Sequence, residues 1–214
     1  MDKKDMYKFL IRTAIPEVTE KKHLPPGEDR SNIIWDVVFR AHRDVLAGRR
    51  WVSAYANCKS SVKNTVNQVV YDLYEIVNSC HIGENKEKLN PREIIKDLTD
   101  KYEEMGVKVG VTQKLVNMSM KYLIILKEFG FVDASYIEED QCDCPLDSII
   151  LKSLHNPKYK TWTGIDRIEE YEEIQGVIDD KLHEKLVKNV NKKEEKINES
   201  RLLYDFRYWP MFVN

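Results

Sequence analysis

Cysteine is scarce in this chain, long apolar runs are missing, and basic residues are in no surplus; each shortage removes a class of protein. The four cysteines, Cys58, Cys80, Cys142 and Cys144, follow no repeating framework. That suits reduced thiols better than a disulfide scaffold. Cys142 and Cys144 are too close for a CxxC knuckle, and His81 beside Cys80 is remote from them in sequence, so no metal site is expected. No stretch reaches the roughly 18 apolar residues of a membrane-crossing helix. The start, Met1-Asp2-Lys3-Lys4-Asp5, lacks the apolar core and cleavage site of a signal peptide. The expectation is therefore a cytoplasmic protein without membrane contact. Thirty-four basic residues against 36 acidic ones give a formal charge of −2, not the excess common among proteins that live on phosphate backbones. Binding depends on where charges lie, and Glu169, Glu170, Glu172, Glu173, Asp179 and Asp180 gather the acidity late in the chain.

Strand alternation of useful length and any repeat period are also missing, whereas helical periodicity is everywhere. With 42% hydrophobic and 10% aromatic residues, the chain can bury a sizeable core. Its length suits one compact helical domain, 1–214, built as two packed lobes. Ser31 can cap a helix whose apolar positions Ile34, Val37, Val38, Ala41, Val45 and Leu46 recur at three and four, with Gly48 ending it. A second helix spans about Val62 to Ser79. Asn90-Pro91 is a cap followed by a first-turn proline, ahead of Ile94, Ile95, Leu98 and Tyr102, and Gly106 stops that helix. A long charged helix begins at Thr163 or Asp166 and runs to about Val190. The stretch from Asn189 to Arg201 is a solvated charge run or short linker. The segment from Leu202 to Phe212 is too aromatic to leave in water and is expected to dock on the body. The fold class is mainly α.

One pair of motifs carries chemistry. After the turn Gly106-Val107-Lys108-Val109-Gly110, a helix from Val111 to Leu126 places Lys114 near its mouth. Asp147, 33 positions after that lysine in Cys144-Pro145-Leu146-Asp147, opens another helix. Glycine permits close backbone approach, and the free N–H groups of a first helical turn can hold a phosphate oxygen. Helix 90–105, the turn and helix 111–126 thus form a hairpin suited to clamping DNA. Pro145 at the first helical position places Asp147 near the third, where the helix dipole favours a carboxylate.

The segment from Gly110 to Leu154 resembles the helix-hairpin-helix DNA glycosylase superfamily, especially its 8-oxoguanine branch. There the hairpin commonly reads Gly-Val-Gly-x-Lys with the lysine as nucleophile, and a later Pro-x-Asp carries the catalytic aspartate. The matching residues are Gly110, Val111, Thr112, Gln113 and Lys114, then Pro145, Leu146 and Asp147. The match covers about a fifth of the chain directly. Thr112 stands where the family prefers its second glycine, the connection from Phe129 to Cys144 is longer than in many members, and the four-cysteine iron–sulfur loop of some relatives is missing.

The resemblance implies a DNA glycosylase, possessing or lacking lyase activity, that flips a damaged or modified base out of duplex DNA. Lys114 would attack as a neutral amine, and Asp147 would stay ionised beside the charge developing on the sugar. Gly110, Thr112, Gln113, Lys108 and Lys121 are the expected DNA contacts, with Lys158 and Lys160 as further phosphate partners. Trp162, Gln175 and His155 are the expected base pocket, with Trp51 and Tyr55 as further stacking candidates. No cofactor is expected, and the protein is expected to be a monomer. Taken singly, Lys114 reads as a surface lysine and Asp147 as a helix-start device. The alternatives are accordingly a non-catalytic helical module that binds DNA or a protein, and a scaffold whose tail, Tyr204 to Phe212, engages a partner.

Overall fold

The computed structural model describes residues 33–46, 60–83, 87–128, 130, 132–155, 158, 161–189 and 200–208. Ser31, Gly48, Trp51, Tyr55, Lys160, the charge run 190–199 and the tail beyond 208 lie outside the described residues. The chain is mainly helical, with no strand among the described residues.

Among the described residues seven α-helices follow in order: α1 (Ile33–Leu46), α2 (Ser60–Ile82), α3 (Pro91–Tyr102), α4 (Val109–Glu128), α5 (Ser148–Ser153), α6 (Ile168–Asn189) and α7 (Arg201–Tyr208). Short 3₁₀ turns lie at Glu103–Met105, Glu139–Gln141 and Trp162–Gly164. In α1, Ile34, Val37, Val38, Ala41 and Val45 are buried, the three-and-four spacing that puts one stripe inward. In α2, Val69, Val70, Leu73, Tyr74 and Val77 do the same. Asn90 caps α3 by accepting from the Arg92 N–H at 3.2 Å, with Pro91 in the first turn. Gly106 ends the following 3₁₀ turn at φ 87°, a left-handed conformation that costs glycine least.

The centre of the molecule is α4. Its residues Val109 to Asn117 and Ser119 to Ile125 are buried, so it is enclosed on nearly every side. Helices α1, α2 and α3 pack against it, as do the Trp162–Gly164 turn and α6. One cluster of buried apolar side chains runs through all these elements. Helix α7 docks too: Leu202, Tyr204 and Asp205 are buried, and Tyr204 shares a hydrogen bond of 3.0 Å with Ser153 of α5. Core packing of the aromatic segment thus holds at Leu202 and Tyr204, with Phe206 partly buried against the core.

Candidate active site

Helix α4 begins at Val109, two residues earlier than its periodicity predicts, so Gly110 lies inside the first helical turn and not in the loop. The reason is steric. A Cβ on Gly110 would lie 1.9 Å from the Trp162 carbonyl oxygen, so only glycine lets the 3₁₀ turn pack this closely. The Gly110 N–H donates to the Ile165 carbonyl at 2.9 Å, and the Val111 N–H donates to Lys108 at 2.9 Å. Those donors are taken internally, which corrects the expectation that Gly110 cradles a phosphate.

Lys114 and Asp147 do meet. The lysine Nζ lies 3.6 Å from Asp147 Oδ2, and the two side chains are 10% and 14% exposed. The Nζ also sits over the Trp162 ring, 4.8 Å from its centroid, a cation–π distance. Asp147 is the N-cap of α5 and not a residue of its first turn: its Oδ1 accepts from the N–H groups of Ile149 and Ile150 at 2.8 and 2.9 Å. One carboxylate oxygen therefore anchors the residue and the other faces the amine. The helix starts late because the backbone before it is held extended by side chains. Gln113 accepts from the Leu146 N–H at 3.0 Å and donates to the Leu146 carbonyl at 2.9 Å, and Gln175 accepts from the Cys144 N–H at 3.2 Å and donates to its carbonyl at 2.8 Å.

These contacts reassign several expected DNA-facing residues. Gln113 and Gln175 are fully buried and spend their amides on the protein's own backbone, so neither presents an edge to DNA or a base. Thr112 is also fully buried; its hydroxyl lies 2.6 Å from that of Thr99, joining α3 to α4 where a phosphate clamp is expected. Lys121 is buried in an ion pair with Asp205 of α7, its Nζ 5.0 Å from the Phe206 ring centroid. Trp162 is buried and offers its ring to Lys114, not to a flipped base. His155 is exposed at the end of α5, in a left-handed conformation with φ 54°. Lys108 is exposed, as a phosphate contact requires, and pairs with Asp166 at 2.6 Å; Lys158 likewise pairs with Glu173 at 2.7 Å.

A set of buried polar residues, invisible as motifs, steadies the extended segment leading to Asp147. Asp143 is buried and receives two hydrogen bonds from Arg92, at 2.8 and 3.0 Å, one from Arg201 at 2.6 Å and one from the Tyr171 hydroxyl at 2.7 Å. Tyr171 in turn accepts from Asn117 at 2.9 Å, one turn along α4 from Lys114. Burial pushes the Asp143 carboxyl above its ordinary value, and Arg92 and Tyr171 oppose the shift. Burial likewise raises Asp205, opposed by Lys121. The neighbouring thiols are neutral for the same reason: burial pushes Cys142 up to about 12 and Cys144 well above the usual range. No group of three His, Cys, Asp or Glu side chains among the described residues is arranged to hold a metal. One signal for the buried ion pair was legible, since Asp205 is the lone carboxylate in an aromatic segment and calls for a buried cation.

Comparison with protein-family models, curated proteins and solved structures finds no match for this chain. No helix among the described residues is long and apolar enough to cross a membrane.

Proposed function

We propose that the protein is a DNA glycosylase of helix-hairpin-helix type that removes a damaged or modified base, with Lys114 as nucleophile and capacity for strand cleavage. The observation that supports this most is the approach of Lys114 Nζ to within 3.6 Å of Asp147 Oδ2 from positions 33 apart, in side chains that are neither sealed nor free. A solvent-exposed pair would be a surface ion pair worth little. A sealed one would admit no substrate.

The chemistry follows from the residue types. The Lys114 amine, once deprotonated, attacks the anomeric carbon as the bond to the base breaks, and the base leaves with the bonding electrons and takes up a proton. The sugar ring opens to a lysine Schiff base; loss of a proton from the adjacent carbon then expels the 3′ phosphate, and water releases the lysine. The Asp147 oxygen that does not cap α5 offsets positive charge on the sugar in the transition state. Trp162 backs the amine. Among the described residues Lys108 and Lys158 are exposed cations available to the DNA backbone, and a phosphate there would replace Asp166 or Glu173 as partner.

The burial of Thr112, Gln113 and Lys121 and the internal use of the Gly110 N–H favour a second reading, a helical interaction module in which Lys114–Asp147 is only a cap and an ion pair. Borohydride trapping across duplexes carrying different base lesions or modifications separates the two. A covalent adduct lost in Lys114→Gln supports the enzyme; no adduct on any duplex, with Lys114→Gln indistinguishable in strand cleavage, leaves the module.

A further inference from the structure

Gln113 and Leu146 are 33 positions apart, as are their chain neighbours Lys114 and Asp147. The first pair is fully buried on the glutamine side and joined by two hydrogen bonds, at 2.9 and 3.0 Å; the second is separated by 3.6 Å without one. The same Gln113 amide nitrogen donates back to the Gly110 carbonyl at 3.0 Å. Its oxygen also receives Asn117 at 3.4 Å, which leads through Tyr171 to Asp143. One side chain thus ties the first turn of α4, the extended segment before α5 and the buried polar network.

We infer that Gln113 is the positioning residue of the site: by pairing with both backbone groups of Leu146 it sets the register between α4 and the extended segment that carries Asp147, and so holds the second Asp147 oxygen against Lys114. A glutamine is suited to this because its amide offers a donor and an acceptor together, matching the carbonyl and N–H of one residue. An apolar side chain of that size would fill the space but leave the Leu146 groups unpaired in the interior, so the segment would have to move to satisfy them. The inference rests on the reading of Lys114 and Asp147 as a working pair.

Gln113→Met tests it through two measurements. In amide hydrogen exchange, Leu146 and the two N–H groups capped by Asp147, on Ile149 and Ile150, should exchange at least about tenfold faster, while core amides of α4 such as Leu123 keep their protection. In the trapping assay the adduct should form about a hundredfold more slowly, the scale of a misplacement near 1 Å. Gln113→Met combined with Asp147→Asn should be no slower than Asp147→Asn alone, because both remove the same carboxylate from Lys114. Unchanged protection at 149 and 150, uniform loss of protection across the chain, or rate losses that multiply would overturn the inference. If wild-type protein forms no adduct, the glycosylase reading fails while the exchange result still decides the role of Gln113. Should Gln113→Met not fold, Gln113→Glu serves in its place. It has the same size and keeps the acceptor for the Leu146 N–H, but sets an oxygen against two carbonyls, and the same selective loss is expected.

Discussion

Helix α4 carries two lysine–aspartate pairs seven residues apart, and they differ in the ways that separate chemistry from architecture. Lys121 and Asp205 are 4% and 2% exposed and in direct contact. Lys114 and Asp147 are 10% and 14% exposed, 3.6 Å apart, with one carboxylate oxygen committed to capping a helix. Both lysines are long cations carried by the same enclosed helix. The inner pair is almost wholly buried, with the Phe206 ring beside the lysine, and serves to seat α7, whereas the outer pair keeps more exposure and a carboxylate oxygen with no capping duty. A buried ion pair is weak evidence of net stabilisation, because desolvation offsets most of the attraction. What the inner pair contributes is a fixed place for α7.

Removing each lysine should give opposite results. Lys114→Gln is expected to lower adduct formation by at least about a thousandfold while leaving the denaturant midpoint nearly unchanged; a normal trapping rate would end the proposed chemistry. Lys121→Met leaves Asp205 buried and unpaired and should cost about 3–5 kcal/mol of stability, read from urea unfolding. Lys121→Met with Asp205→Leu should recover most of that loss, and failure to do so would give the inner pair a role beyond seating α7.

A buried ring with one unpaired nitrogen sharpens the contrast. His42 is buried, its Nε2 has no hydrogen-bond partner among the described residues, and burial lowers it from 6.5 to about 4. The unfolded chain binds a proton on this ring at higher pH than the folded one, so stability falls as pH drops between those two values. The loss amounts to about 3 kcal/mol across the window, and a His42→Leu variant should lack this slope in unfolding measured from pH 7 to pH 4. The smallest effect concerns the cap. Asparagine caps helices about as well as aspartate, so Asp147→Asn should change stability by less than about 0.5 kcal/mol while slowing adduct formation markedly. A large loss of stability would mean that the charge serves the fold.

Much of the framework is legible in the residues. The three-and-four spacing in α1, the Asn90-Pro91 start of α3, the left-handed Gly106 and the docking of the aromatic segment are local or depend on hydrophobicity alone. The meeting of Lys114 with Asp147 also follows the reading of two motifs in order. What sequence conceals are polar side chains whose partners are backbone groups far along the chain. Gln113 and Gln175 look like surface residues until the extended segment at 142–147 is laid beside them, and Asp143 looks ordinary until Arg92, Arg201 and Tyr171 arrive from three helices. The same segment explains the misplaced start of α5, since Pro145 cannot open a helix while the residues on either side of it are clamped by hydrogen bonds. Gly110 misled for a related reason: glycine signals a close approach without naming what approaches.

That glycine has a consequence for inheritance. With a carbonyl filling the place of its missing side chain, position 110 admits no variation, while the valines beside it can trade among apolar residues of similar volume. Any descendant that keeps Lys114 on this helix and Trp162 beneath it must also keep the smallest residue four places earlier. The lineage of the site would be traced most surely by a residue that takes no part in its chemistry.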